Sequence, residues 1–257
     1  MAQRQGSQAR GAIVVVGSPK GGVGKSATAW EVAQGYARAG VRVVLVDGDE
    51  TATVATKYDN RQADYLKEKA GASVVIAPKN VESTVLEMAK NVDLVVVDLG
   101  ARDWDRYKTL PTSADLWLIP TDFAADNMGP AATLFAERLW PKRDLHVSGR
   151  PLPVRLVWVK TPTHSAANAS GLSRSIAWWR DAIAGITGLE GDDDHPFHPD
   201  TGFGVFESQL RYRNAPWDYA TTVGASLEEL PARVAGNSAA EVSQLLGEIQ
   251  LVLQGKG

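Results

Sequence analysis

A glycine-rich stretch near the N-terminus constrains the fold more than any other part of the sequence. An apolar run at residues 12–16 leads into the segment GSPKGGVGKS, and a helix-prone stretch at residues 27–39 comes next. Between a strand and a helix, such a turn lets successive backbone N–H groups approach a phosphate. The pattern Gly-x4-Gly-Lys-Ser, from Gly17 to Ser26, therefore predicts a phosphate-binding loop (P-loop) for a nucleotide, with Lys25 contacting phosphate and the Ser26 hydroxyl contacting Mg²⁺.

Beyond this loop, apolar runs alternate with amphipathic stretches along the chain. Strands are predicted at residues 12–16, 41–46, 73–76, 93–97, 114–120, 154–159 and 204–206, and helices at residues 27–39, 52–69, 81–90, 127–139, 171–186 and 239–253. This alternation predicts right-handed βαβ units, and 257 residues suit one large α/β domain. We expect a single doubly wound, mostly parallel sheet with helices on both faces over residues 12–257, preceded by a flexible tail at residues 1–11.

Composition narrows the functional classes. The chain has no cysteine, which excludes disulfides and thiolate metal sites and fits a reducing cytosol. No apolar run reaches membrane-spanning length, so we expect a soluble, cytoplasmic protein. The net charge of −3 gives no general electrostatic argument for nucleic-acid binding. Any DNA binding must come from a local patch.

Acidic side chains stand at the ends of two predicted strands. Asp98 ends the run LVVVD, and Asp47 and Asp49 follow the strand at residues 41–46. In open α/β sheets, ligands bind at the carboxyl ends of the strands. Asp98, in a run of the Walker B form, is predicted to hold Mg²⁺ through an ordered water. A strand-end aspartate is also a common helix N-cap or turn former, so this alternative stays open for all three residues.

Several of these motifs resemble the ParA/MinD family of ATPases. The string KGGVGKS places a second lysine, Lys20, inside the loop, as the deviant Walker A motif of that family does, and Asp47-Gly48-Asp49 is similar to its D-x-D. The segments ADLWLIPTDFAADNMGPAATLF and QLRYRNAP are also similar. Three local departures stand beside this resemblance: Glu50-Thr51 after the D-x-D, Leu99-Gly100-Ala101 after Asp98, and Lys160-Thr161 where an asparagine commonly ends the strand.

The resemblance implies an enzyme that hydrolyses ATP to ADP with Mg²⁺. It assigns to Lys20 a contact, across a dimer interface, with the phosphates of the partner's nucleotide. Asp47 would lie near the water shell of the metal, alongside Ser26 and Asp98, and Asp49 would position the attacking water. Lys20, Lys25 and Asp49 are thus the implied catalytic residues. The nucleotide contacts would come from Lys20, Gly21, Gly22, Val23, Gly24, Lys25, Ser26 and Ala27.

The same resemblance implies partners. They are a second copy of the chain on ATP binding, nonspecific DNA bound by the ATP dimer, and a DNA-bound ParB-like adaptor, with association with the nucleoid. Arg211 matches an arginine of the family's C-terminal segment, and Arg213 would share its face on an extended strand. Solvated surface arginines are the alternative.

The sequence also bears on three other functional classes. MinD-like membrane cycling is not favoured because residues 241–257 are not basic. A scaffold ATPase whose cargo is a protein assembly stays open. Among metabolic P-loop enzymes, the nitrogenase iron protein is excluded because its cluster needs cysteine.

Two remaining features favour ordinary structure. Trp178 and Trp179 point about 100° apart on a helix, so one is expected in the core and the other exposed. The acidic stretch at residues 190–200, which includes His195 and His198, lacks the ligand spacing of a metal site and predicts a solvated loop.

Overall fold

The computed structural model describes residues 10–51, 53–61, 66, 69–77, 79–101, 107–192, 195–211 and 213–255. Seven strands form the sheet: β1 (Ala12–Val16), β2 (Val43–Asp47), β3 (Ser73–Ile76), β4 (Leu94–Asp98), β5 (Leu116–Thr121), β6 (Val154–Thr161) and β7 (Phe203–Arg211). The helices are α1 (Lys25–Arg38), α2 (Thr53–Asp59), α3 (Val81–Met88), α4 (Leu110–Ser113), α5 (Ala125–Leu134), α6 (Ser165–Thr187), α7 (Asn214–Val223), α8 (Ala232–Ala235) and α9 (Ser238–Leu253). After α5 the chain continues through a π-helical turn (Phe135–Leu139) and a 3₁₀ segment (Trp140–Leu145).

The strands form one sheet in the order β3-β2-β4-β1-β5-β6-β7, and all of the neighbouring strands in it are parallel. The carboxyl ends of the strands therefore lie along one edge. The predicted fold class, a doubly wound parallel sheet, is confirmed. Because β1 lies between β4 and β5, the loop after β1 emerges near the middle of that edge.

Both faces of the sheet are covered, which explains why its central strands are apolar throughout. Successive side chains of β1 point to opposite faces. Val14 and Val16 pack in one buried cluster with residues of α1, α7 and α9. Ile13 and Val15 pack in a second cluster with residues of α3, α5 and α6. The single sheet thus separates two hydrophobic layers.

Helix α1 and the C-terminal helix α9 pack closely. At Gly35 of α1, a Cβ would collide with the Leu246 side chain of α9. One residue further on, the Tyr36 hydroxyl donates a hydrogen bond to the Leu246 carbonyl oxygen at 3.2 Å. This close approach ties the helix after the P-loop to the end of the described chain.

Element bounds differ from the sequence expectations mainly in the C-terminal half. Helix α6 begins at Ser165 rather than near residue 171, and β7 extends to Arg211 rather than ending near residue 206. Helix α7 was not predicted. The predicted helix at residues 52–69 is observed only in its first part, because α2 ends at Asp59 and Asn60 and Arg61 form a turn. Residues 52, 62–65, 67 and 68 lie outside the described part.

The last two residues of the tail predicted over residues 1–11, Arg10 and Gly11, contact the rest of the chain. The Arg10 guanidinium forms an ion pair with Asp115 at 2.7 Å and donates to the Ser113 carbonyl at 2.6 Å, and the Gly11 N–H donates to the Ala89 carbonyl. Residues 1–9 lie outside the described part. None of the helices in the described ranges is both long and apolar enough to span a membrane.

Candidate nucleotide site

The predicted site residues meet at the carboxyl edge of the sheet. Asp47 lies opposite Asp98 in the register of β2 and β4, and Asp98 lies opposite Val16 in the register of β1 and β4. The P-loop starts directly after Val16. The parallel pairing therefore places both strand-end aspartates beside the loop, at one level of the sheet.

The P-loop has the backbone that its glycines were expected to allow. Gly22 and Gly24 have φ angles of 75° and 85°, in the left-handed region that residues with a Cβ rarely adopt. A Cβ at Gly21 or Gly22 would meet nothing within 4 Å, so the surface of the loop is open there. Gly24 precedes α1, whose first N–H groups have no side-chain cap. This open cradle of backbone N–H groups at a helix N-terminus fits a phosphate.

The two lysines of the loop lie in opposite environments. Lys25 is buried, and its Nζ donates to the Lys20 carbonyl oxygen at 2.8 Å. Burial lowers the pKa of Lys25, while the charges of Asp98 and Asp49 oppose that shift. Lys20 is exposed. Lys25 thus faces the site of its own chain, whereas Lys20 is available to a neighbouring molecule.

Asp98 is a buried acid with unused hydrogen-bonding capacity. Neither of its carboxylate oxygens has a hydrogen-bond partner among the described residues. Burial is the main cause that raises its pKa to about 7, and the neighbouring carboxylates of Asp47 and Asp49 add to the rise. The Ser26 hydroxyl is near enough to stabilise the charged form, although it falls short of full hydrogen-bond geometry. Oxygen ligands of this kind fit a hydrated Mg²⁺ beside a nucleotide phosphate.

Asp47 caps the helix that follows it. Its Oδ2 accepts from the N–H groups of Val54 and Ala55, both at 3.1 Å, and its Oδ1 accepts from the Asp49 N–H at 3.1 Å. Burial raises the pKa of Asp47, and these three hydrogen bonds oppose the rise. The capping alternative is therefore realised at Asp47. Its contact with the water shell of a metal remains a prediction.

Asp49 lies in the turn after β2 and is partly exposed. Its Oδ1 accepts from both the N–H and the hydroxyl of Thr51, at 2.9 and 2.8 Å. The second carboxylate oxygen takes no part in those contacts. Asp49 thus has the exposure that a group orienting a water would need, and that role stays a prediction.

A cleft of about 190 Å³ lies beside the P-loop. The Thr28 hydroxyl oxygen, on the wall of this cleft, is buried without a hydrogen-bond partner among the described residues. The position of the cleft next to the phosphate cradle suits a nucleoside. The residues that line it come from α1, β6, β7 and α7, with one from the loop before α1: Gly24, Ala27, Thr28, Val159, Lys160, Leu210, Trp217, Asp218 and Thr221. Sequence reasoning missed the α7 residues because that helix was not predicted.

Comparisons with known proteins agree with this geometry. Residues 11–122 match a family described as "AAA domain". No curated protein sequence matches the chain at a significant level.

Solved structures give the more detailed likeness. The structure of pNOB8 ParA superposes with a TM-score of 0.59 at 13% identity, covering 96% of this chain and 98% of that chain. MinD from Aquifex aeolicus gives a TM-score of 0.56 at 17% identity, covering 93% and 97%. The chain has the ParA/MinD fold. An ATP complex of a Cyanothece McdA variant gives a TM-score of 0.55 at 15% identity, covering 93% and 97%, and pNOB8 ParA has also been solved bound to nonspecific DNA.

On this ParA/MinD fold, the two arginines predicted to contact DNA converge on one carboxylate. Arg213 donates to both oxygens of Glu241 on α9, at 2.8 and 2.7 Å. Arg211 donates to Glu241 at 3.4 Å from its guanidinium and at 3.1 Å from its backbone N–H. Strand β7 ends at Arg211, so the two arginines are brought together by Glu241 and not by alternation along one strand. They are not a free cationic patch because Glu241 neutralises part of their charge. Their contact with DNA stays a prediction.

The structure describes the tryptophan pair and part of the acidic stretch. Trp179 is fully buried, while Trp178 is 37% exposed, which confirms that one of the pair lies in the core. No group of three potential metal ligands is present among the described residues, and residues 193 and 194 of the acidic stretch lie outside them.

Proposed function

We propose that this protein is an ATPase that works as a dimerisation switch. ATP binding would bring two copies together, and hydrolysis to ADP and phosphate would separate them. The observation that carries the proposal is the opposite placement of two lysines in one loop. Lys25 is buried in its own site, and Lys20 is exposed on the surface of the same loop. The exposed lysine suits a contact with the nucleotide of a partner copy.

Each site residue has a role that its surroundings support. The loop N–H groups and Lys25 would hold the phosphates, and Ser26 and Asp98 would hold Mg²⁺, with Asp47, which lies opposite Asp98 in the sheet, near its water shell. When bound, Mg²⁺ supplies charge neutralisation at the phosphates. Asp49 orients the water that attacks the terminal phosphate. Catalysis of this kind is mainly positioning, and Thr51 holds only one oxygen of the partly exposed Asp49, so a slow basal rate that a partner accelerates fits this site.

The cargo we propose is DNA. The ATP dimer binds nonspecific DNA, meets a DNA-bound ParB-like adaptor and serves plasmid or chromosome partition on the nucleoid in the cytoplasm. The fold shared with pNOB8 ParA, which has been solved with nonspecific DNA, supports this proposal. Arg211 and Arg213 are the proposed phosphate contacts.

A second candidate is a positioning or scaffold ATPase whose cargo is a protein assembly. One observation favours it: Glu241 already engages both candidate DNA arginines. A phosphate would have to displace that carboxylate. In this alternative the nucleotide switch is unchanged, and only the surface that binds the cargo differs.

The switch is tested by measuring mass in solution by light scattering with Mg-ADP or a non-hydrolysable Mg-ATP analogue. We expect the wild type to dimerise with the analogue only. Lys20→Ala should bind nucleotide but stay monomeric, whereas Lys25→Ala should lose nucleotide binding. Dimerisation of Lys20→Ala to the wild-type extent would refute the role of the exposed lysine.

The cargo is tested with a labelled random-sequence duplex at low and moderate salt. The DNA proposal expects salt-sensitive binding with the ATP analogue, no binding with ADP, and loss of binding in Arg211→Ala. A wild-type dimer that binds no DNA in either nucleotide state would overturn the DNA proposal and leave the protein-cargo candidate.

A further inference from the structure

The residue Lys160 has an unusual backbone at the edge of the candidate nucleotide site. Its φ angle of 54° makes it the one non-glycine residue with positive φ in the described part of the chain. A left-handed backbone is unfavourable for a residue with a Cβ, and lysine has no short polar side chain to offset it. Such outliers persist where the surrounding structure imposes them, and they cluster at ligand-binding sites.

The cause of this backbone is a β-bulge. In the pairing of β6 with β7, Val159 lies opposite Leu210 and Thr161 lies opposite Arg211, so Lys160 is the extra residue in the ladder. A bulge redirects the side chain of the extra residue and is common next to active sites. Here it occurs at the carboxyl end of β6, on the edge of the sheet that carries the P-loop.

The redirected side chain reaches the P-loop. Lys160 Nζ donates to the Gly22 carbonyl oxygen at 2.5 Å, across 138 positions of sequence. Lys160 also lines the wall of the nucleoside cleft, as does Asp218. No carboxylate of the described residues forms an ion pair with Lys160, although Asp218 shares the cleft. The exposed ammonium group is therefore held at the loop by a neutral carbonyl.

Lys25 provides an internal comparison. Its ammonium group also donates to a loop carbonyl oxygen, that of Lys20. Two carbonyl oxygens of the loop thus each accept from an ammonium group: that of the buried Lys25 and that of Lys160 on the side of the cleft. A nucleotide phosphate is a stronger acceptor than a neutral carbonyl because it carries charge.

We propose that Lys160 is a nucleotide-binding residue, whose ammonium group moves from the Gly22 carbonyl to the polyphosphate of the bound nucleotide. This inference rests on the proposed nucleotide site and adds a third lysine to it. The bulge and the left-handed backbone are what aim that lysine at the loop. The position is one where the sequence departs from its family resemblance, so the contact is a property of this chain.

The test is calorimetric titration of Mg-ADP and of a non-hydrolysable Mg-ATP analogue into four variants. Lys160→Asn keeps a residue that tolerates the left-handed backbone but removes the charge, and Lys160→Gly removes both the charge and the strain. Lys160→Arg keeps the charge. Lys90→Asn is the matched control, because Lys90 is an exposed lysine whose ion pair with Glu87 lies before β4, at the opposite edge of the sheet.

We expect Lys160→Asn and Lys160→Gly to bind both nucleotides about 10- to 100-fold more weakly, the effect of one lost hydrogen bond between charged groups. Lys160→Arg should retain most of the affinity, and Lys90→Asn should equal the wild type. Thermal melting without nucleotide shows that each variant is folded.

Two results would overturn the assignment. Wild-type affinity in Lys160→Asn and Lys160→Gly, even with an altered melting temperature, would leave Lys160 as a tether of the empty loop only. An equal loss in Lys160→Arg and Lys160→Asn would show that charge is not what matters. If the folded wild type binds no nucleotide, the proposed function itself fails. If Lys25→Ala loses nucleotide binding and the Lys160 variants keep it, the proposed function stands and Lys160 has no part in it.

Discussion

Replacing Glu241 with glutamine should release the two candidate DNA arginines. In the native protein the Glu241 carboxylate accepts two hydrogen bonds from Arg213 and one from the Arg211 guanidinium. Glutamine keeps the length of the side chain and one acceptor oxygen but removes the charge. A DNA phosphate that binds these arginines would then displace a neutral amide rather than a charged carboxylate.

The size of the effect depends on the burial of the cluster. The side chains of Glu241, Arg213 and Arg211 are 12%, 24% and 36% exposed. Breaking a fully buried ion pair costs about 3–5 kcal/mol, and an exposed pair is worth about 0–1 kcal/mol. For this intermediate case we expect Glu241→Gln to lower the free energy of unfolding by about 1–2 kcal/mol. A DNA phosphate no longer has to break these contacts in Glu241→Gln, so the same energy, about 1–2 kcal/mol, would tighten DNA binding by about 5- to 30-fold.

The assay is titration of a random-sequence duplex with the ATP-analogue dimer over a range of salt concentrations. Two phosphate contacts per subunit make four in the dimer and would contribute about −3.6 to the slope of log affinity against log salt, and Arg211→Ala and Arg213→Ala should each remove about half of it. Glu248→Gln is the matched control. Glu248 lies on the same helix and accepts from the N–H groups of Glu207 and Ser208.

Glu241→Gln and Glu248→Gln change the net charge equally, so a gain in affinity specific to Glu241→Gln would identify the arginines as DNA contacts. A stable Glu241→Gln variant that binds DNA no more tightly than the wild type would refute the proposed release. Arg211 and Arg213 would then serve only to fasten α9 to β7.

Three further predictions concern other parts of the molecule. Asp49→Asn should bind the ATP analogue as the wild type does and release phosphate at least about 100-fold more slowly in a turnover assay; loss of binding would contradict its proposed role. Arg61→Met should lower the free energy of unfolding by about 3–5 kcal/mol in urea, because Arg61 pairs at 2.5 Å with the fully buried Glu229 side chain; a loss below about 1 kcal/mol would contradict this. Burial raises the pKa of Glu31 to about 8, so the folded state keeps a proton that the unfolded state releases above about 4.5, and stability should fall as pH rises from about 5 to 8. Glu31→Gln should flatten that fall in a pH series of urea melts, and an unchanged slope would exclude Glu31 as its source.

The central part of the sheet could be predicted from the sequence because its strands are buried on both faces. The β1 bounds agree with the predicted run, and β4 ends at the predicted Asp98. Such strands are continuous apolar runs, and the glycine-rich pattern after β1 specifies a loop and then a helix. The phosphate cradle and the neighbouring aspartates were predictable for the same reason.

The edge of the sheet was harder to predict. Strand β7 has only β6 as a neighbour, and its second half, residues 207–211, contains a single apolar residue, Leu210, so the apolar run at residues 204–206 marks only its start. Helix α7 contains Pro216 in its first turn, where proline is tolerated although in a sequence it usually indicates a break. Without α7, the part of the candidate nucleoside cleft that this helix lines could not be identified.

Contacts between distant segments also lie beyond local patterns. The bulge at Lys160 depends on how β6 pairs with β7. The engagement of Arg213 by Glu241 joins residues 28 positions apart. Each is set by tertiary geometry, which the sequence alone does not display.

The close packing at Gly35 connects the candidate phosphate site mechanically to helix α9. Helix α1 starts at Lys25 in the phosphate site and is pressed against α9 at Gly35, with no space for even a methyl group between them. Helix α9 in turn carries the carboxylate that holds Arg213. A tilt of α1 on nucleotide binding would therefore move α9, and with it the Glu241 carboxylate that binds Arg211 and Arg213. Amide hydrogen exchange along Ser238–Leu253, with and without nucleotide, would show that movement. Identical exchange in both states would mean that nucleotide binding is not coupled to α9.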